Sequence, residues 1–172
     1  FASSATSYWA VGADHQGSKI AVGGSDGCVH VLERSGNETA LLTGHTGDVT
    51  HVEFHPYDGN LLLSVARKQL LISDTETCSR VASYDSKQFI SDVRWNYDGS
   101  QVLVVAGGEV SVLTWSSIGG GLSPFLTWQA PPDGDEGEGI SCCAPAPSSF
   151  LQPPRRNKER GGGGEGLCGG SV

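Results

Sequence analysis

The chain has 172 residues, room for one ordinary domain, and sets 11 Lys and Arg against 19 Asp and Glu for a net charge of −8. Nucleic-acid modules present a basic patch to the phosphate backbone, so this acidic balance argues against direct nucleic-acid binding. No apolar run approaches the roughly 18 residues of a helical membrane span, and Phe1-Ala2-Ser3-Ser4 lacks the basic and apolar regions of a secretory leader.

A soluble, intracellular protein is therefore expected, with cytoplasm and nucleus both open. The sequence contains no Met, even at position 1, and is expected to be a fragment. Cysteines 28, 78, 142, 143 and 168 form an odd set without a CxxC pair, which supports neither a disulfide framework nor a zinc site. Composition divides the chain. Residues 1–118 hold all five histidines and a net charge of −6, whereas seven of the eight prolines follow Gly119.

In chain order, a short alternating segment, Trp9-Ala10-Val11, leads into the polar turn Asp14-His15-Gln16-Gly17-Ser18. Two apolar runs follow, Ile20-Ala21-Val22 and Val29-His30-Val31-Leu32, then a more polar stretch, Thr39 to Thr43. Each run is too short for an ordinary helix and reads as a strand. The same order returns with Val52-Glu53-Phe54, the turn His55 to Asn60, Leu61-Leu62-Leu63, Leu70-Leu71-Ile72 and Arg80 to Tyr84. It returns again with Val93-Arg94-Trp95, the turn Asn96 to Ser100, Val102 to Val105, Val110 to Leu113 and Pro124 to Trp128.

The turn glycines Gly17, Gly59 and Gly99 are 42 and 40 residues apart, and Val31, Ile72 and Val112 repeat at 41 and 40. Four antiparallel strands per period of this length describe a propeller blade. The expected fold is all-β, with three blades at about residues 7–43, 44–84 and 85–128. The repeats proper are set at 1–118, and the Gly/Pro-rich segment 119–172 is expected to be disordered because it has too little apolar surface to offset ordering entropy.

The stretch Leu42-Thr43-Gly44-His45-Thr46-Gly47-Asp48, continuing to His55-Pro56, resembles the Gly-His opening of a WD repeat, with Ile72-Ser73-Asp74 at the closing Trp-Asp position. The resemblance covers about 110 residues. It implies a structural hydrogen-bond network, to which His45, Ser64 and Asp26 correspond. Arg67 stands where the second unit would carry its Asp, and Ser73 where it would carry Trp, so the blades are degenerate. Short segments are also similar to actin-binding coronins, to the messenger-RNA export propeller of THO type and to a splicing-associated ubiquitin ligase.

The resemblance implies a noncatalytic scaffold that binds proteins or peptides through its loops and assembles a multiprotein complex. The alternatives are the substrate-presenting part of a larger enzyme or ubiquitin ligase, or an RNA-processing or cytoskeletal WD-repeat protein. Tyr57, Arg67, Lys68, Arg94 and Tyr97 are the candidate partner-binding residues, since Trp, Tyr and Arg anchor interfaces. Closed propellers need about four to eight blades, so further blades are expected from adjoining chain or from a partner.

His45, Ser64 and Asp74 have the residue types of a hydrolytic triad, but no G-x-S-x-G elbow accompanies them, and structural hydrogen bonding accounts for the first two. His51 and His55 lie about 13 Å apart along a strand, too far to share a metal ion. They are read with Glu53 as a solvated polar face. Neither a cofactor nor a catalytic group is expected. Gly161 to Gly164 reads as linker, and the basic run Arg155 to Arg160 as a solvated segment.

Overall fold

A computed structural model describes residues 6–116, 119 and 121–129. Among the described residues, twelve strands form three four-stranded antiparallel sheets in which every neighbour in sequence is a neighbour in space. The first sheet holds β1 (Tyr8–Ala13), β2 (Lys19–Gly24), β3 (Val29–Glu33) and β4 (Glu38–Leu42). The second holds β5 (His51–Phe54), β6 (Leu61–Ala66), β7 (Gln69–Asp74) and β8 (Ser79–Asp85). The third holds β9 (Ile90–Trp95), β10 (Gln101–Ala106), β11 (Glu109–Ser116) and β12 (Gly121–Gln129). Among the described residues there is no helix, and hence none long and apolar enough to cross a membrane.

Strand β12 lies beyond residue 118, in the last part of the third blade expected at about 85–128, so the third sheet takes its last strand from the start of the Gly/Pro-rich segment. Pro124 lacks a donor for the ladder, and it sits on an outer strand where the register with β11 shifts between Val112 and Leu113. The disorder expected for that segment concerns, from residue 130 onward, residues outside the described set.

Among the described residues, two apolar cores lie between sheets. Ala21, Val29, Val31, Ala40 and Leu42 of the first sheet close on Val52, Phe54 and Leu62 of the second. Leu63, Val65, Leu70 and Ile72 of the second sheet close on Val93, Trp95, Val102, Val104 and Leu113 of the third. Adjacent residues point to opposite faces of a strand, which is why Leu62 serves one core and Leu63 the other. Full burial of each such side chain contributes about 1.5–3 kcal/mol.

The faces of the end sheets that point away from the second sheet are open. Val11, Ile20 and Leu41 are exposed on the first, Leu126 and Trp128 on the third.

The geometry corrects one expectation. With Val52 and Phe54 turned toward the first sheet, His51 and Glu53 face the third rather than solvent. Glu53 Oε2 accepts the Trp95 backbone N–H at 3.1 Å, and His51 Nδ1 lies 4.0 Å from Asp92 Oδ1. His55 Nε2 is 3.2 Å from the Gly99 carbonyl oxygen. The polar alternation along β5 marks a seam between blades.

Candidate functional surface

Strand direction sorts the connections into two rims. The turns between the first and second strands of each sheet share one rim with those between the third and fourth. The turns between second and third strands share the other rim with the links between sheets. On the first rim, Asp14 accepts the backbone N–H groups of Ser18 and Lys19 at 2.7 and 2.9 Å. Asn96 Oδ1 accepts Gln101 N–H at 3.0 Å, and His55 Nδ1 accepts Asp58 N–H at 3.0 Å. A side chain thus closes each turn locally, as Asx-type turns do.

Two cross-links then tie the turns together. Lys19 Nζ donates to Asn60 Oδ1 at 2.6 Å, and His55 bridges to Gly99 as described above. The turns so fixed present His15, Tyr57 and Tyr97, each two residues before its turn glycine. The two tyrosine rings meet edge to face, 6.4 Å between centroids at 89°, and each residue is 59% exposed. Below them Trp95 and His55 pack edge to face at 4.8 Å. Together they line a cleft of about 520 Å³ whose wall also includes His15 and Glu53. Partial desolvation, with the Tyr97 hydroxyl and Asp98 beside it, holds the Tyr57 phenol above its usual range.

The opposite rim carries Arg67 and Lys68, a two-residue turn between the paired Ala66 and Gln69. Arg67 has φ 57°, a left-handed conformation unusual outside glycine, and Gly107 occupies the equivalent place in the third sheet with φ 63°. Lys68 Nζ donates to the Lys87 carbonyl at 2.8 Å and stands 5.5 Å from the centre of the exposed Phe89 ring. Arg94 is elsewhere again, on β9, with Nε 3.6 Å from Asp92 Oδ1. The five expected partner-binding residues therefore divide among two rims and the edge strand β9. His15 and Phe89 join two of these groups; the offset from the turn glycine would have found His15, but no sequence signal marks Phe89.

The fold is shared with solved propellers. The C-terminal WD40 domain of Sif2 superposes with a TM-score of 0.62 at 14% identity, over 73% of this chain and 37% of that one. Saccharomyces cerevisiae Sqt1 gives 0.65 at 15% identity, over 76% and 37%, and a chain of the mitotic checkpoint complex gives 0.65 at 23%, over 73% and 40%. The fold is that of WD40 propeller blades.

Among curated proteins the chain is similar to telomerase Cajal body protein 1. The Bos taurus protein is 35% identical over 115 residues, 62% of this chain and 21% of that protein. The Mus musculus protein is 37% identical over 92 residues, 51% and 17% respectively. The chain thus spans about one-fifth of the length of these relatives. No family model matches it.

In these blades, His45 on the link between the first two sheets reaches Ser64 on β6, Nε2 to Oγ 2.9 Å. Asp26 lies on the turn between β2 and β3, where its Oδ1 accepts the Cys28 N–H at 3.0 Å and its Oδ2 lies 3.4 Å from His30 Nε2. Asp74 is bonded to Glu76 and Thr77 N–H at the far end of its sheet from His45. The triad's residue types are present, but Asp74 is not placed to orient the imidazole. Among the described residues no group of three or more His, Cys, Asp or Glu is placed to hold a metal ion.

Proposed function

We propose that this arc of WD40 blades is a noncatalytic scaffold that binds proteins through its turns and completes a ring with further blades. The observation that carries the reading is the pair Tyr57 and Tyr97, large exposed rings held on two turns that His55 ties together. Aromatic side chains on a stiff support lose little entropy on binding and make effective anchors. The open faces of the first and third sheets, with Val11 and Leu41 on one and Leu126 and Trp128 on the other, are where neighbouring blades would stack. Affinity enrichment from cells, quantified for the wild type, for Tyr57→Ala with Tyr97→Ala and for Arg67→Ala with Lys68→Ala, tests it. A set of partners lost from the tyrosine variant at unchanged thermal stability supports the reading; identical partner profiles for all three proteins overturn it.

A second reading concerns place. The similarity to telomerase Cajal body protein 1 supports a nuclear scaffold of the Cajal body. Fluorescence microscopy of the tagged protein against a Cajal-body marker checks this, and a uniformly cytoplasmic signal removes it.

A further inference from the structure

The cleft between the turns has a chemistry that narrows the kind of partner. Its floor is the His55 and Trp95 pair, 4.8 Å between centroids, and its mouth is framed by Tyr57 and Tyr97 at 6.4 Å. Glu53 lies in its wall; beside the cleft, Asp98 acts electrostatically on the Tyr57 phenol, and Asp58 and Asp98 accept the backbone N–H groups of Asn60 and Ser100 within their own turns, so negative charge is held at the two tyrosine turns. No Lys or Arg is among the described residues that line it. Lys19, the cation on the neighbouring turn, is engaged by Asn60 Oδ1 at 2.6 Å.

We propose that this cleft is the seat of an arginine side chain presented by an extended peptide segment of a partner protein, an inference that rests on the scaffold reading above. Three physical arguments select that occupant. A guanidinium is flat and stacks on aromatic faces, whereas an ammonium is a compact, strongly hydrated charge. Cation–π attraction over Tyr or Trp is worth about 0.5–1 kcal/mol at exposed sites and about 2 or more when desolvated, so several rings around one slot favour a cation that can touch more than one. The bordering carboxylates supply charge complementarity, and they repel the phosphates of a nucleic acid or an anionic membrane.

The test uses the whole 172-residue chain and a fluorescein-labelled peptide, Gly-Ser-Pro-Arg-Pro-Ser-Gly, with the same peptide carrying citrulline in place of arginine. Citrulline keeps the shape and removes the charge. Fluorescence anisotropy is expected to show the arginine peptide binding about tenfold more tightly. Tyr57→Ala with Tyr97→Ala abolishes that preference, and Tyr57→Phe with Tyr97→Phe retains it because the ring faces remain. Asp58→Asn with Asp98→Asn weakens binding and flattens its dependence on salt, while Arg67→Ala with Lys68→Ala on the opposite rim leaves it unchanged.

Equal binding of the two peptides, or binding that survives loss of both tyrosine rings, overturns the proposal. So does much tighter binding by a chain carrying Arg155→Gln and Arg156→Gln, which would make the chain's own basic run the occupant. No peptide binding, together with partners still lost from the tyrosine variant in cells, overturns the arginine assignment and leaves the scaffold intact.

Discussion

His45 Nε2 lies 2.9 Å from Ser64 Oγ, while the other nitrogen of the ring, Nδ1, is buried with no hydrogen-bond partner among the described residues. Burial holds the imidazole at about 4, below its ordinary 6.5, although the nearby Gln69 side chain works in the opposite direction. Unfolded, the ring takes a proton as pH falls through 6.5; folded, it resists until about 4. The stability this group contributes is therefore complete above pH 6.5 and is lost as pH falls toward 4. The gap between the two values corresponds to about 3 kcal/mol. Denaturant titrations across this window should show a steep decline for the wild type and a shallower one for His45→Gln. Ser64→Ala should cost about 1–3 kcal/mol at neutral pH, because it leaves Nε2 unsatisfied as well.

His30 runs the other way. Burial opposes its charging, but Glu38, 2.9 Å from Nδ1, and Asp26, 3.4 Å from Nε2, outweigh it and raise its pKa. Its contribution is present below the ordinary 6.5 and disappears as pH rises through the higher folded value. Glu38→Gln should therefore destabilise the protein more at about pH 5.5 than at about pH 8, as read by thermal melts at the two pH values.

The turn glycines Gly99 and Gly17 have similar backbones, φ 73° and 67°, but different surroundings. A Cβ at Gly99 would collide with the His55 ring, which bridges the second and third sheets, whereas nothing lies within 4 Å of one at Gly17. Gly17→Ala should cost about 1 kcal/mol for the left-handed backbone alone. Gly99→Ala should cost about 1–3 kcal/mol more through the collision. Comparable melting temperatures for the two variants would show that the His55 contact is not maintained in solution.

Trp95 is 2% exposed and packs edge to face with His55 at 4.8 Å and Trp115 at 6.1 Å, yet its Nε1 has no partner among the described residues. Trp95→Ala should cost about 3–5 kcal/mol, as large cavities in a core do. Trp95→Phe removes the unpaired donor along with part of the ring and should cost much less. Chemical denaturation separates the two.

Strand order and blade phase were readable because β2, β6 and β10 are apolar runs that each follow a glycine-bearing turn, and a buried run that short leaves little choice but a strand. The fourth strand of the third sheet was harder to read. In β12, Gly121 and Pro124 give the composition of a loop, and pairing with β11 overrides it. Parity along β5 showed that His51 and Glu53 share a face, but whether that face meets water depends on a sheet some forty residues later in the chain. The meeting of Tyr57 with Tyr97 depends on the same packing. Counting strands would have separated them from Arg67 and Lys68, since successive hairpin turns fall at opposite ends of a sheet.

Among the described residues each apolar core belongs to one pair of sheets, so cohesion there is local and passes along the array through the middle member. The second sheet is clamped from both sides, whereas β1 to β4 and β9 to β12 each hold on by a single seam. Such a stack opens from its ends, like leaves lifting from a bound page. Amide hydrogens of Leu63 and Leu71 should outlast those of Val11 and Leu126 in hydrogen exchange by orders of magnitude, and capping either open face should slow exchange first in the sheet that carries it.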